Sequence, residues 1–141
     1  MGNAAHGNHK YARQDAGQSL VELALLLPAI MLILLGAIDF GRLYYSYVAV
    51  SNAARMGAEY AMDPRRTQDA VRQTVKAEAS PYVIITDSDI TITAVPSWSQ
   101  GSNVTVEVRT QFSAFTPLIS RFWGGGPVTL RGTATTRFNT L

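Results

Sequence analysis

The chain has 141 residues, enough for one domain, and a formal net charge of +2 at pH 7. Its Lys and Arg residues are scattered, so the sequence predicts no nucleic-acid partner. The absence of cysteine excludes disulfides, thiolate metal sites and a lipid anchor on cysteine. The only histidines, His6 and His9, lie near the N-terminus. We therefore expect no enzyme activity, no catalytic residue, no metal and no cofactor in the rest of the chain.

An apolar run from Leu20 to Ile38 follows a polar N-terminal segment. A helix of about 19 residues, at about 1.5 Å per residue, covers about 28 Å, close to the hydrocarbon thickness of a bilayer. A soluble helix needs only one apolar stripe, and the core of a signal peptide is usually shorter. The run therefore predicts a membrane span over residues 18–39. Pro28 lies within it, which membrane helices tolerate.

The charges beside the span predict its orientation. Lys10 and Arg13 precede the span, whereas Asp39 and Arg42 follow it and offset each other. The positive-inside rule then places residues 1–17 in the cytoplasm and residues 40–141 outside. We expect a single-pass protein of the inner membrane.

Glu22 is the one carboxylate inside the apolar run. A charge there costs a few kcal/mol, so the residue is a functional candidate and needs a partner. No Lys or Arg follows it at helical spacing, since the next basic residue is Arg42. The partner must come from outside the local helix. The alternative is that Glu22 reaches water at the cytoplasmic interface.

An amphipathic helix is predicted to continue the span as far as Met62. The whole helix would run from about Ser19 to Met62 and end before Asp63-Pro64. Its apolar positions recur at steps of three and four residues: Phe40, Leu43, Tyr44, Tyr47, Val50, Ala54 and Ala58. Tyr44, Tyr45 and Tyr47 suit an aromatic belt at the outer membrane interface, with a ligand-stacking site as the alternative.

The remaining residues predict a short helix and three strands. The helix covers Thr67 to Ala79, and the strands cover Ile90 to Val95, Val104 to Arg109 and Val128 to Phe138. The first two strands should pair as an antiparallel hairpin. The fold class is therefore α+β, a long N-terminal membrane-spanning helix that continues into a small domain with an antiparallel sheet of three or slightly more strands.

Three short segments of this domain could carry chemistry. Asp87-Ser88-Asp89 could bind Ca²⁺, but two carboxylates are too few for a cage, and a solvated turn is favoured. Gly124 to Gly126 has no following Lys-Ser/Thr, so it is not a phosphate loop. Phe122-Trp123 is either an exposed patch for a partner or part of the core.

A glycine, a glutamate five residues later and an unbroken apolar helix resemble type IV pilin-like precursors. Here these residues are Gly17, Glu22 and the run to Ile38. The resemblance implies cleavage between Gly17 and Gln18 by a prepilin peptidase on the cytoplasmic side, so that residues 1–17 are a leader. It also implies a pilin-like outer domain, and Glu22 as the residue that sets helix register by meeting a neighbouring copy's Gln18 amine.

The segment after the run resembles the TadE-like minor pseudopilins of the tight-adherence (Flp, type IVc) pilus system more narrowly. The resemblance covers about Gly17 to Ala61. Its signature residues are Asp39, Phe40, Gly41 and Arg42 at the exit of the span, and Asn52, Ala53, Ala54 and Arg55 further along. It implies a minor structural subunit in pilus biogenesis, adhesion and biofilm formation. Its partners would be prepilin peptidase, other pilin-like subunits and an inner-membrane assembly platform, and its final place the pilus or cell surface.

Two other functional hypotheses stay open. One is a permanently anchored single-span envelope protein whose outer domain binds a partner. The other is a pseudopilin of type II secretion, although the exit signature favours the tight-adherence group. A membrane-anchored hydrolase is disfavoured, because the chain lacks cysteine and clustered buried carboxylates.

Overall fold

The computed structural model describes residues 9–63, 65–99, 101–122 and 124–138. The described elements are α1 (His9–Tyr60), α2 (Gln68–Ala79), β1 (Ile90–Val95), β2 (Asn103–Phe112), α3 (Pro117–Phe122) and β3 (Val128–Arg137), with a 3-10 turn at Asp87–Asp89. This confirms the predicted α+β class: a long N-terminal helix, a short second helix and a three-stranded antiparallel sheet. The chain divides into two compact units, one ending at Ile38 and the next beginning at Asp39.

Helix α1 begins at His9, ten residues before the predicted start at Ser19, and ends at Tyr60, two residues before Met62. Residues 10–16 are rich in Lys, Arg, Ala and Gln, which favour helix, so nothing in their composition stops the helix earlier. Within the described part of the chain, α1 is the one helix long and apolar enough to cross a membrane. Its length and composition are compatible with single-pass membrane anchoring.

The sheet has the order β1-β2-β3, and both pairs of strands are antiparallel. Ile92 is opposite Val106, which is in turn opposite Ala134. The predicted hairpin of β1 and β2 is therefore confirmed. Strand β2 extends past the predicted end at Arg109 because its alternation continues through buried Thr110 and Phe112.

The core lies between the second half of α1, helix α2 and one face of the sheet. Its fully buried members share small or β-branched side chains: Val50, Ala53, Ala54, Ala61, Val71, Val75, Ala79, Val104, Val106 and Val108. Helix α2 begins where predicted, because the Thr67 hydroxyl caps it by accepting a hydrogen bond from the Ala70 amide (3.2 Å).

The predicted apolar stripe of α1 is buried only in its second part. Phe40, Tyr44 and Tyr47 are 68%, 61% and 51% exposed. The core-facing positions are held instead by smaller residues, because the sheet lies too close to the helix for large side chains. The part of the predicted stripe that is buried begins at Val50 and continues through Ala54 and Ala58.

Two glycines permit this close approach. A Cβ atom at Gly132, in β3, would lie 2.5 Å from the carbonyl oxygen of Val50 and 2.9 Å from the Cα atom of Ser51. A Cβ atom at Gly57, in α1, would overlap the side chain of Val75. Because the obstacle at Gly132 is helix backbone, no side-chain rotation can relieve the contact.

Gly132→Ala should therefore lower the free energy of unfolding of the second compact unit by about 1–3 kcal/mol, the usual cost of overpacking. The measurement is a urea titration of the detergent-solubilised full chain, followed by tryptophan fluorescence. Gly126→Ala is the matched control, because a Cβ atom there meets nothing within 4 Å. Equal stability of the two variants would show that β3 does not lie this close to α1.

Candidate functional site

The predicted cleavage and register residues lie on α1. Gly17, Gln18 and Glu22 are all exposed, and a Cβ atom at Gly17 would meet nothing within 4 Å. The side-chain amide of Gln18 donates a hydrogen bond of 3.4 Å to Oε1 of Glu22. The sequence predicted that the partner of Glu22 comes from outside the local helix, and this neutral partner was not predicted. A spacing of four residues on a helix nevertheless brings the two side chains together.

Apolar side chains surround α1 on every side between Leu20 and Ile38. Leu25 and Ile33 are 74% and 70% exposed, and the most apolar window of the helix buries none of its residues. Exposing this much apolar surface to water is unfavourable at roughly 25 cal/mol per Å². The segment therefore requires an apolar environment, either lipid or other apolar helices.

Asp39, directly after the apolar run, is the buried acid of the site. Its side chain is 2% exposed, and its two oxygens accept hydrogen bonds from the backbone amides of Phe115 and Thr116, each at 2.9 Å. Nη1 of Arg42 lies 3.4 Å from the same carboxylate. Hydrogen bonds and a cation together offset the cost of burying the charge. We call this set of contacts the Asp39 clamp.

Arg42 joins the clamp to two aromatic rings. The centre of its guanidinium group lies 3.7 Å from the ring centroid of Phe115 and 5.3 Å from that of Phe112. Such cation–π contacts contribute about 0.5–1 kcal/mol at exposed sites. Arg42 therefore connects α1 to both ends of the segment that links β2 to α3.

The sequence analysis placed Asp39 and Arg42 in the exit signature and noted that their charges offset each other. It did not predict the Asp39 clamp. A signal for the burial of Asp39 was present. Residue 39 precedes Val50 by eleven positions, which is close to three helical turns, so the two share one face. The donors at residues 115 and 116 are backbone groups, which have no sequence signature.

The second half of the signature divides between core and surface. Ala53 and Ala54 are fully buried under the sheet. Asn52 is exposed beside Tyr45 and Tyr82 in a shallow groove, and Arg55 is exposed and lines a different groove. Phe40 is exposed and Gly41 is partly buried with open space around its Cα. The structure thus assigns packing to the alanines and leaves Asn52 and Arg55 available on the surface.

The Asp87-Ser88-Asp89 segment is a capped turn. Asp89 accepts hydrogen bonds from the amide and hydroxyl of Thr86 (2.9 and 2.6 Å). Lys76 lies 2.8 Å from Asp87, and its hydrogen bond holds the pKa of the Asp87 carboxyl below its ordinary value. The turn that the sequence favoured over a calcium loop is confirmed, since protein donors already engage both carboxylates.

Two further predictions concern the segment before β3. Gly124 and Gly125 have φ angles of 91° and 82°, which glycine adopts readily, and they separate α3 from β3. The choice between an exposed patch and a core position at Phe122-Trp123 stays a prediction, because Trp123 and the side chain of Phe122 lie outside the described residues.

Residues 17–59 match the family model of TadE-like proteins. The match begins at Gly17 and contains Glu22, the apolar run and both halves of the signature, whereas residues 60–141 lie outside it. The predicted resemblance is therefore confirmed over residues 17–59, and the match supports a protein associated with the tight-adherence pilus. Searches among curated proteins and among solved structures found no significant match.

Removing the Asp39 carboxylate should destabilise the second compact unit. In Asp39→Asn, an amide group replaces one acceptor oxygen and leaves a buried backbone amide unpaired, at a cost of about 1–3 kcal/mol. Asp87→Asn is the control, because Asp87 is 66% exposed and its pair with Lys76 contributes little. Urea unfolding of both full-length variants measures the difference. An equal loss of unfolding free energy in the two variants would contradict the Asp39 clamp.

Proposed function

We propose, from the premise that residues 17–59 are TadE-like, that the chain is the precursor of a minor pilin-like subunit of the tight-adherence (Flp) pilus system. The single observation that carries the proposal is this match, since it spans the cleavage motif, the apolar helix and the exit signature together. The subunit would take part in pilus biogenesis, and through the fibre in adhesion and biofilm formation.

The proposed precursor is held in the inner membrane by residues 18–39. Its leader, residues 1–17, lies in the cytoplasm, and residues 40–141 lie outside. Prepilin peptidase then cuts between Gly17 and Gln18. The exposure of both residues supports access of the enzyme. Glycine in a helix interior costs about 1 kcal/mol relative to alanine, so Gly17 is also a point where local unwinding is least costly.

Cleavage turns the backbone nitrogen of Gln18 into a cationic amine. Among the residues whose side chains are described, the hydrogen-bond partner of Glu22 is the neutral amide of Gln18 at 3.4 Å, a long hydrogen bond that supplies no positive charge. An amine from a neighbouring copy would supply the missing charge. In a bundle of apolar helices a lone carboxylate is costly and a matched pair recovers much of the cost, so the pair fixes the axial register of the copies.

The exposed apolar surface of α1 supports transfer from membrane to filament. Side chains on all faces of the run contact lipid in the precursor, and the helices of neighbouring subunits can replace that lipid without loss of apolar burial. The inner-membrane platform and its motor would supply the work of extraction. Other pilin-like subunits are the partners of the helix.

Replacing Gly17 should block processing. Gly17→Leu, expressed with a prepilin peptidase, should leave the precursor uncut, because a large side chain would occupy the position next to the scissile bond. The measurement is gel mobility with N-terminal sequencing, and the wild-type product should begin at Gln18. Gly41→Leu is the control, since Gly41 also lies on α1 in open space. A wild-type chain that keeps its leader while functional would favour the permanently anchored envelope protein.

Neutralising Glu22 should stop incorporation without preventing insertion. Glu22→Gln keeps the size of the side chain but cannot pair with a cationic amine. We expect normal membrane levels and at least a tenfold loss from sheared pili, which corresponds to about 1.4 kcal/mol. Glu78→Gln, an exposed acid on α2, is the control. Immunoblots of membrane and sheared fractions compare the two, and normal incorporation of Glu22→Gln would refute the pairing.

A further inference from the structure

Four aromatic side chains near the end of the apolar run are exposed. Phe40, Tyr44 and Tyr45 of α1 are 68%, 61% and 68% exposed. Phe115, from the segment between β2 and α3, is 71% exposed. Exposure of several large aromatic rings indicates an interaction surface rather than ordinary water-facing surface. We call these four residues the aromatic collar.

The Asp39 clamp fixes the position of Phe115. The Phe115 amide is 2.9 Å from the carboxylate of Asp39, although the two residues are 76 positions apart in sequence. Asp39 follows Ile38, the last residue of the apolar run, without an intervening residue. The backbone of Phe115 is therefore held next to Asp39, the first residue after the apolar run in sequence.

The length of the helix places the end of the apolar run relative to a bilayer. The apolar run of about 28 Å fills the hydrocarbon layer, and a bilayer with its headgroups is about 40–45 Å thick. Each headgroup layer is thus several Å thick. Residues 39–45, which rise about 9 Å, fall mainly within the outward-facing headgroup layer. All four collar residues belong to this level.

The charge at this level is also compatible with lipid headgroups. The guanidinium group of Arg42 is 3.4 Å from the Asp39 carboxylate, so the charged pair carries no net charge. The same group covers one face of the Phe115 ring, at 3.7 Å from its centroid. Aromatic rings with a polar neighbour favour the membrane–water interface, where one side is apolar and the other is wet.

We propose that the aromatic collar inserts into the outward-facing headgroup layer, with Phe115 as a second anchor contributed by the outer domain. The partner is a lipid surface. This inference rests on the membrane anchoring in the proposed function. The second anchor restricts the tilt of the outer domain on the membrane, because a single spanning helix alone does not fix that tilt.

The chain has no cysteine, so a single introduced cysteine can carry a nitroxide label. Ser113→Cys places the label on an exposed residue two positions from Phe115 and keeps the ring. Leu34→Cys reports on the span, and Thr133→Cys on the exposed face of the sheet. The full chain is reconstituted in phosphatidylcholine–phosphatidylglycerol vesicles. Electron paramagnetic resonance then compares label collisions with oxygen, which enriches in lipid, and with a water-soluble nickel chelate.

We expect the ratio of oxygen to nickel collisions to be highest at residue 34, intermediate at 113 and lowest at 133. A label at 113 as water-accessible as the label at 133 would overturn the inference but leave anchoring intact. A water-accessible label at 34 would overturn both the anchoring and the inference. The two failures are therefore distinguishable.

Variants in the Ser113→Cys background test whether the Phe115 ring causes the lipid contact of the label at residue 113. Phe115→Ala should lower the collision ratio at residue 113 several-fold, because the inserting ring is lost, and Asp39→Ala should do the same by releasing the loop. Ile84→Ala is the control, since Ile84 is 91% exposed on a different segment. Spin–spin broadening between labelled copies, with no effect of Phe115→Ala, would assign the loop to a contact between copies and overturn the proposal.

Discussion

A buried carboxylate at residue 39 joins the start of the second compact unit to the segment between β2 and α3. Asp39 meets two backbone amides at 2.9 Å, and Arg42 adds a cation at 3.4 Å. A buried charge without these partners would cost several kcal/mol, so the segment at residues 115 and 116 must remain in place whenever Asp39 is buried. The clamp thus determines what lies next to the end of the apolar run.

This arrangement has a consequence for the proposed assembly. A subunit that leaves the membrane is moved by its apolar helix, while its folded domain follows. The clamp ties the domain to the first residue beyond the apolar run, and the close approach of Gly132 to Val50 ties the sheet to the same helix further along. Residues 39–60 of α1 are therefore connected to the rest of the second unit at two levels, at Asp39 and at Val50.

The strands and α2 could be predicted because their local patterns are sufficient. Alternation from Ile90 to Val95 gave a strand with the right faces, and Thr67 marked the start of α2. The buried face of α1 could not be predicted in the same way. Apolar character does not distinguish a side chain that faces lipid or a partner from one that faces the core, so the pattern alone did not separate exposed Phe40 from buried Val50. Small residues such as Ala53 and Gly57 carry little hydrophobic signal, yet they form the contact.

The candidate site was predictable only in part, for a related reason. The motif around Gly17, Glu22 and Asp39 is local, and the family match covers it. The partners of Asp39 and Arg42 are distant in sequence: two backbone amides and the ring of Phe115. No residue pattern encodes a backbone donor, and an exposed phenylalanine in a loop is ambiguous until its neighbours are known.

Amide hydrogen exchange of the wild-type full chain in lipid tests the clamp most directly. If Asp39 binds the amides of Phe115 and Thr116, these two should exchange much more slowly than the amide of Ser113 in the same segment, because exchange requires the hydrogen bond to open. Exchange at 115 and 116 as fast as at 113 would contradict the clamp, and with it the account of how the segment between β2 and α3 is held to α1.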